Sequence, residues 1–526
     1  MKKSNINFLF LVAIILAGSV LRLTSLPQKP MHNDEAVNAV KFGNLLENGE
    51  YVYDKVEFHG PILYYLTLIP ALVSNVQSFS ELNERHLRVV PAMAGIGLLL
   101  LLIWIGNIAG WRAILAGMLL GGISPAMVFY SRYYIHETLL VFFTFGFIIS
   151  VFVYFKYRKN GWWMLSAMFL GLMHTTKETF ILSVVVFFIS LFLEQMIWRN
   201  GEISWFQVLR SLKWHQYVIF IGIAGFISIL FFSSFFKNPQ GIIDSITTYE
   251  SYFNKAGQNE VHQHPWHYYL EILAWNNGPG PLVWSELPIL IFSVVGIFFA
   301  FFKKGNTAGE QFFRIIAIFS ILMMVLYSVM PYKTPWNILS SYFGMILLAG
   351  FGITQALNTF QKGWTHTTIL IYVVVVSLYL ITQVIYTNYK YPAHPSNPYV
   401  YGHTSIDIFH MVARIKNVSD INPEGKDLYI HVICSEDDYW PLPWYLREFN
   451  NVGWWNKIYS DTPLAPLIVV SPDLKEPLIE KMYTQPKPGE KYLYVPLFDE
   501  ATELRPGVLL NAFVRQDYLS SQRSSD

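Results

Sequence analysis

From Phe8 to Leu26 the chain is mostly apolar. The same texture returns near 87–109, 113–130, 138–156, 162–174, 179–197, 216–236, 282–302, 313–330, 336–358 and 367–386. A bilayer span needs roughly 20 mostly apolar residues, so the pattern predicts about eleven transmembrane helices. Pro61 to Val73 is apolar but short, and reads as a helix lying in or beside the interface. Basic residues set the orientation. Lys2 and Lys3 precede the first span, and Arg112, the Lys156-Tyr157-Arg158-Lys159 run, Arg199 with Arg210 and Lys213, Lys303-Lys304 with Arg314, and Lys362 fall in alternate loops, which marks those loops as cytoplasmic. The first stretch is long for a signal-peptide core and no small-x-small site follows, so it reads as a retained span. The odd count puts everything beyond Tyr386 outside.

After Tyr386 the period changes. Ile406, Phe409, Val412 and Ile415 recur at helical spacing, and short apolar runs follow at Leu428–Cys434, Leu467–Val470 and Tyr492–Leu497, with a helix expected over Leu474–Met482. This alternation predicts a small parallel sheet with helical cover. The chain thus divides into a transmembrane domain, 1–386, with outer loops at 27–86 and 237–281, and an extracytoplasmic α/β domain, 387–526. Asp437 to Arg447 directly follows the first expected strand, at the sheet end where ligands usually bind.

Composition agrees. Hydrophobic residues make up 53% and charged residues 14% of the 526, whereas soluble domains are about a quarter charged; a polytopic protein of the inner or plasma membrane is implied. The net charge of +1 excludes a nucleic-acid partner, which needs a concentrated basic face. A single cysteine, Cys434, excludes an internal disulfide or a multi-thiolate metal site.

The ionisable residues gather on the outer side. They are Asp34, Glu35 and His59; Arg132, His136 and Glu137; His174, Lys177 and Glu178; His262, His264 and His267; and Lys333. Such groups near span ends are costly unless they serve a cavity. Asp34-Glu35 after the first span, His59-Gly60-Pro61 heading a juxtamembrane helix, and Ser131-Arg132-Tyr133 resemble the GT-C glycosyltransferases over roughly residues 1–390. In the protein O-mannosyltransferase and aminoarabinose-transferase branches the second element often reads His-Pro-Pro, from which Gly60 departs. Thr176-Lys177-Glu178-Thr179, Pro331 to Trp336, Asn397-Pro398-Tyr399-Val400-Tyr401 and Trp440 to Tyr445 are similar to a bacterial and archaeal subgroup named for an association with flippase activity.

The resemblance implies sugar transfer from a polyprenyl-phosphate donor on the outer face to a protein, lipid or polysaccharide acceptor. Asp34 would be the base and Glu35 would position the acceptor or a metal. Transfer with inversion needs a carboxylate to take the acceptor's proton and cations to hold the leaving phosphate. Arg132 and Lys333 suit that phosphate, with Lys177 beside them. His59, Tyr133, Glu137, Glu178, Tyr332, Trp440 and Trp444 stand as substrate-binding or supporting residues. A divalent metal (Mg2+, Mn2+ or Zn2+) is left open. His262 and His264, with His267, Glu260 and Glu271 close by, form one candidate set, and Asp34 with Glu137 or Glu178 forms the other. The alternatives are a transporter or flippase for lipid-linked sugar, or an accessory subunit whose Trp440, Trp444, Trp454 and Trp455 stack on glycan.

Overall fold

The computed structural model describes residues 3–55, 59–255, 262–279, 282–303, 305–483 and 492–519; Glu260, Lys304 and Asp526 lie outside these. A helix stands at each of the eleven expected positions: Lys3–Leu23, Glu84–Leu101, Trp111–Ile123 with Pro125–Ser131, Glu137–Tyr157, Asn160–His174, Phe180–Ile197, Trp214–Phe232, Leu287–Phe302, Ala308–Val329, Leu339–Thr359 and Trp364–Ile385. Among the described residues, eight helices are long and apolar enough to cross a membrane alone, and the bent pair, taken as one span, makes a ninth. The count of eleven is not reached, because Asn160–His174 has 15 residues and Leu287–Phe302 has 16; at 1.5 Å per residue these fall short of a core about 30 Å thick.

The bent pair turns by 61° at Ser124. Pro125 lacks an N–H and starts a new helix rather than continuing one. Ser124 caps it by accepting from Met127 N at 3.3 Å, while its own hydroxyl donates to Glu286 Oε2 at 2.6 Å. Leu339–Thr359 packs between Trp111–Ile123 and Leu287–Phe302. The last contact is close enough that a Cβ on Gly296 would collide with the Leu348 carbonyl, the use of small residues by which membrane helices approach one another.

The loop after the first span carries two helices. Asn33–Asn48 buries Glu35, Ala36, Asn38, Ala39 and Phe42. Ile62–Val73, only 12 residues, turns Ile62, Leu63, Tyr64, Thr67 and Ala71 inward and leaves Ile69, Leu72 and Val73 exposed, as a helix beside the interface should.

The C-terminal sheet is mixed rather than parallel. Ile430–Ile433 lies between parallel neighbours Val452–Trp455 and Leu467–Val470. Val508–Arg515 runs antiparallel beside Leu467–Val470 and pairs in turn with Tyr494–Pro496 and Thr502–Arg505. Helices Asp407–Asp420 and Lys475–Tyr483 match the expected ones. The sequence pattern missed Val452–Trp455, Thr502–Arg505 and Val508–Arg515. A Gly-Trp-Trp run does not alternate, and Val508-Leu509-Leu510 is apolar on both faces. Between the last span and this region, residues 391–404 form a strap against the loop after the first span.

Candidate functional site

His32 caps Asn33–Asn48: its Nδ1 accepts from Asp34 N at 3.0 Å, and Glu35 Oε2 accepts from His32 N at 3.1 Å, a reciprocal pair that satisfies two free helix-start donors. His32 Nε2 donates to Tyr401 O at 2.8 Å, so the imidazole is the neutral Nε2–H tautomer. Burial also lowers its proton affinity.

Glu35 is fully buried. It receives Arg88 Nε and Nη2, each at 2.7 Å, and Tyr134 N at 2.8 Å. Burial alone would raise its carboxyl, but the charges of Arg88 and Lys29 and these hydrogen bonds outweigh it and hold the group at about 2. Arg88 also donates to the carbonyls of Leu26 at 2.6 Å, Lys29 at 2.8 Å and Pro30 at 3.1 Å. The expectation that Glu35 positions an acceptor or metal is therefore corrected: its oxygens are engaged in holding the loop. Asp34 is the partner presented outward, with its side chain 51% exposed.

Around Asp34 stand groups from four other segments. Residues 262–264 pair with 331–333 through Lys333 N to His262 O at 2.9 Å and His264 N to Pro331 O at 3.4 Å. This sets Tyr332 against His262, ring centroids 5.1 Å apart. His262 Nδ1 and His264 Nε2 lie 2.6 and 3.2 Å from the Tyr401 hydroxyl. Tyr133, Trp336, His32 and His403 form an aromatic wall, with Tyr133 stacked on His403 at 5.5 Å. Asp34 is in electrostatic reach of His32, Tyr133 and His262.

A second cluster adjoins it. His59 Nδ1 meets Glu178 at 3.0 Å, Lys177 donates to Glu137 at 2.7 Å, and His136 Nε2 donates to Gly60 O at 3.0 Å. Burial pushes Glu178 up, and His59 with Lys177 brings it down to about 2. Glu137 and Lys177 line one small cavity with Trp336, which also touches the Asp34 wall. The departure at Gly60 has a physical reason. Gly60 N donates to Thr176 O and Ile62 N to Thr175 O, each at 3.0 Å, and a Cβ at residue 60 would collide with the Thr175 carbonyl. Proline, with a ring and no N–H, fits neither demand.

Several expected roles change. Arg132, 6% exposed, donates to the carbonyls of Leu21, Thr24 and Ser25 and to Tyr389 Oη, so it caps the end of the first helix. Lys333 Nζ donates to the carbonyls of His264 and Met330, and burial lowers its proton affinity. Trp444 is buried, with Nε1 donating to Glu84 at 2.9 Å and its ring against Phe79, so it docks the C-terminal region rather than stacking on sugar. Trp440 is half-buried beside Tyr439. Among the described residues no three His, Cys, Asp or Glu side chains converge on a metal position. Glu137 faces Lys177, Glu178 faces His59, and His262 and His264 face Tyr401.

Sequence reading passed over Arg88, Lys29, His32 and His403. Arg88 had a signal, being a cation inside an apolar span, which marks a function or a buried partner. The others had none.

No family model and no curated protein matches the chain. Solved structures do. ArnT from Cupriavidus metallidurans bound to undecaprenyl phosphate aligns over 95% of this chain and 97% of its own, with a TM-score of 0.61 and 13% identity. The Archaeoglobus fulgidus oligosaccharyltransferase in complex with Zn and sulfate gives 0.57 and 11% identity, over 90% of this chain and 68% of that one. The same enzyme tethered with an acceptor peptide gives 0.54 and 12%, over 92% and 70%. The chain has the GT-C glycosyltransferase fold. In this fold Asp34 lies where the loop after the first span meets the strap after the last one.

Proposed function

We propose that the protein is a membrane glycosyltransferase that moves a hexosyl or pentosyl group, with inversion, from a polyprenyl-phosphate donor to an acceptor hydroxyl on the extracytoplasmic face. The observation that carries this is the asymmetry of the acidic pair: Glu35 is locked by Arg88, and Asp34 stands exposed at a helix start beside Tyr133 and His262. Asp34 takes the acceptor's hydroxyl proton. The acceptor oxygen forms its bond to the anomeric carbon as the carbon–oxygen bond to phosphate breaks on the opposite face, and polyprenyl phosphate leaves with the electron pair. The GT-C fold supports this reading, as does the undecaprenyl phosphate bound by ArnT. The acceptor is a protein, a lipid or a polysaccharide of the cell envelope.

The test is transfer in vitro from a panel of polyprenyl-phosphate sugars. Wild type should form product and Asp34→Asn should lose about 100-fold to 10,000-fold, the usual contribution of a general base. Full activity in Asp34→Asn removes it as the base. A wild type that carries the lipid-linked sugar across a bilayer without forming product overturns the enzyme reading in favour of transport.

A further inference from the structure

Arg132, Lys333 and Lys177 are engaged elsewhere, yet a leaving phosphate needs donors. Five residues before Asp34 the Lys29 side chain turns inward and is 6% exposed. Its Nζ sits 4.1 Å from the Tyr133 ring centroid and 4.6 Å from that of Phe129, with no hydrogen-bond acceptor. Two more polar atoms beside it are buried and unpartnered: Tyr133 Oη and His403 Nε2.

All three are donors. His403 Nδ1 lies 2.9 Å from Tyr401 N and 3.2 Å from Tyr401 O; the shorter contact has the amide donating, and in that arrangement the proton of the neutral ring is on Nε2. Burial, followed by the carboxylates of Asp34 and Glu35, pushes the Tyr133 phenol up, so it keeps its proton. Lysine has donors only. Three segments far apart in sequence thus bring unmatched donors to one aromatic cluster. Buried polar groups are normally paired, because one left unpaired loses the hydrogen bonds it made to water. Three donors gathered in one place suit an acceptor with several oxygens.

Charge points the same way. Lys29, Arg88 and Arg132 lie within electrostatic reach of one another around a single carboxylate, Glu35, which is already committed to Arg88. We infer that Lys29, Tyr133 and His403 form the site that receives the phosphate of the donor lipid. This rests on the glycosyl-transfer reading and names the cation it requires. Burial lowers the proton affinity of Lys29 to about 7, with Glu35 opposing the fall. An arriving phosphate supplies the countercharge that keeps the amine protonated.

The experiment uses the full chain in nanodiscs, with binding and melting measured for decaprenyl phosphate, inorganic phosphate and phosphatidylglycerol. Wild type should bind decaprenyl phosphate, Lys29→Met at least tenfold more weakly, and Tyr133→Phe several-fold more weakly. Lys29→Met should melt close to wild type, because it removes a buried unpaired amine and keeps the volume while giving up the attraction to Glu35. Inorganic phosphate that protects wild type but not Lys29→Met shows that the phosphate group alone is read; protection by the lipid phosphate alone shows that the chain is read too. Each supports the site. Wild-type affinity in Lys29→Met overturns it while leaving the transfer reading intact, and equal competition by phosphatidylglycerol reduces Lys29 to a headgroup anchor. A wild type that binds no polyprenyl phosphate removes the transfer reading itself.

Discussion

Asp34 and Glu35 are neighbours with opposite environments, and the difference can be measured. Glu35→Gln leaves Arg88 buried without its countercharge, so the fold should lose about 3–5 kcal/mol; Asp34→Asn, at an exposed position, should shift the melting temperature little. Acid makes the same distinction. Glu35, facing Arg88, Lys29 and the N–H groups of His32 and Tyr134, has its carboxyl lowered from 4.5 to about 2. The stability it contributes is complete above pH 4.5 and is lost as pH falls toward 2, whereas Glu35→Gln should show a flatter melting profile over that window. The acidic pair was legible in the sequence, and its division of labour was not. Which carboxylate meets Arg88 depends on helix phase and on a partner 53 residues away.

At the scale of the element, the segment around Gly60 is fixed by contact rather than by propensity. Gly60→Ala should lower stability by about 2 kcal/mol or more, since it disturbs two backbone hydrogen bonds and crowds the Thr175 carbonyl. Gly161→Ala, with nothing within 4 Å of the added carbon, should be neutral by the same melting assay. Helix positions were readable because long apolar runs have few other outcomes. The mixed sheet was less so, because strands such as Val452–Trp455 show no alternation. Glu286 was invisible for another reason: it gathers donors from Ser124, Ala126, Tyr342 and Tyr399, four positions that only the folded bundle brings together.

For the whole molecule, loop charge predicts sidedness. Reporter fusions at Lys159 and Asp526 should read cytoplasmic and extracytoplasmic; a cytoplasmic result at Asp526 would move the proposed site to the wrong face for its donor. The meeting of the first loop with the strap, as in Thr404 Oγ1 donating to Met31 O at 2.6 Å across 373 residues, had no local signal in the chain. Yet that contact governs how deletions will behave. A protein ended at Tyr386 loses Tyr401 and His403 along with the sheet, so its silence would say nothing about whether the sheet recognises an acceptor. Ending the chain just past Thr404 keeps the wall of the pocket, and only that shorter deletion can separate a reaction that needs the sheet from one that needs the strap.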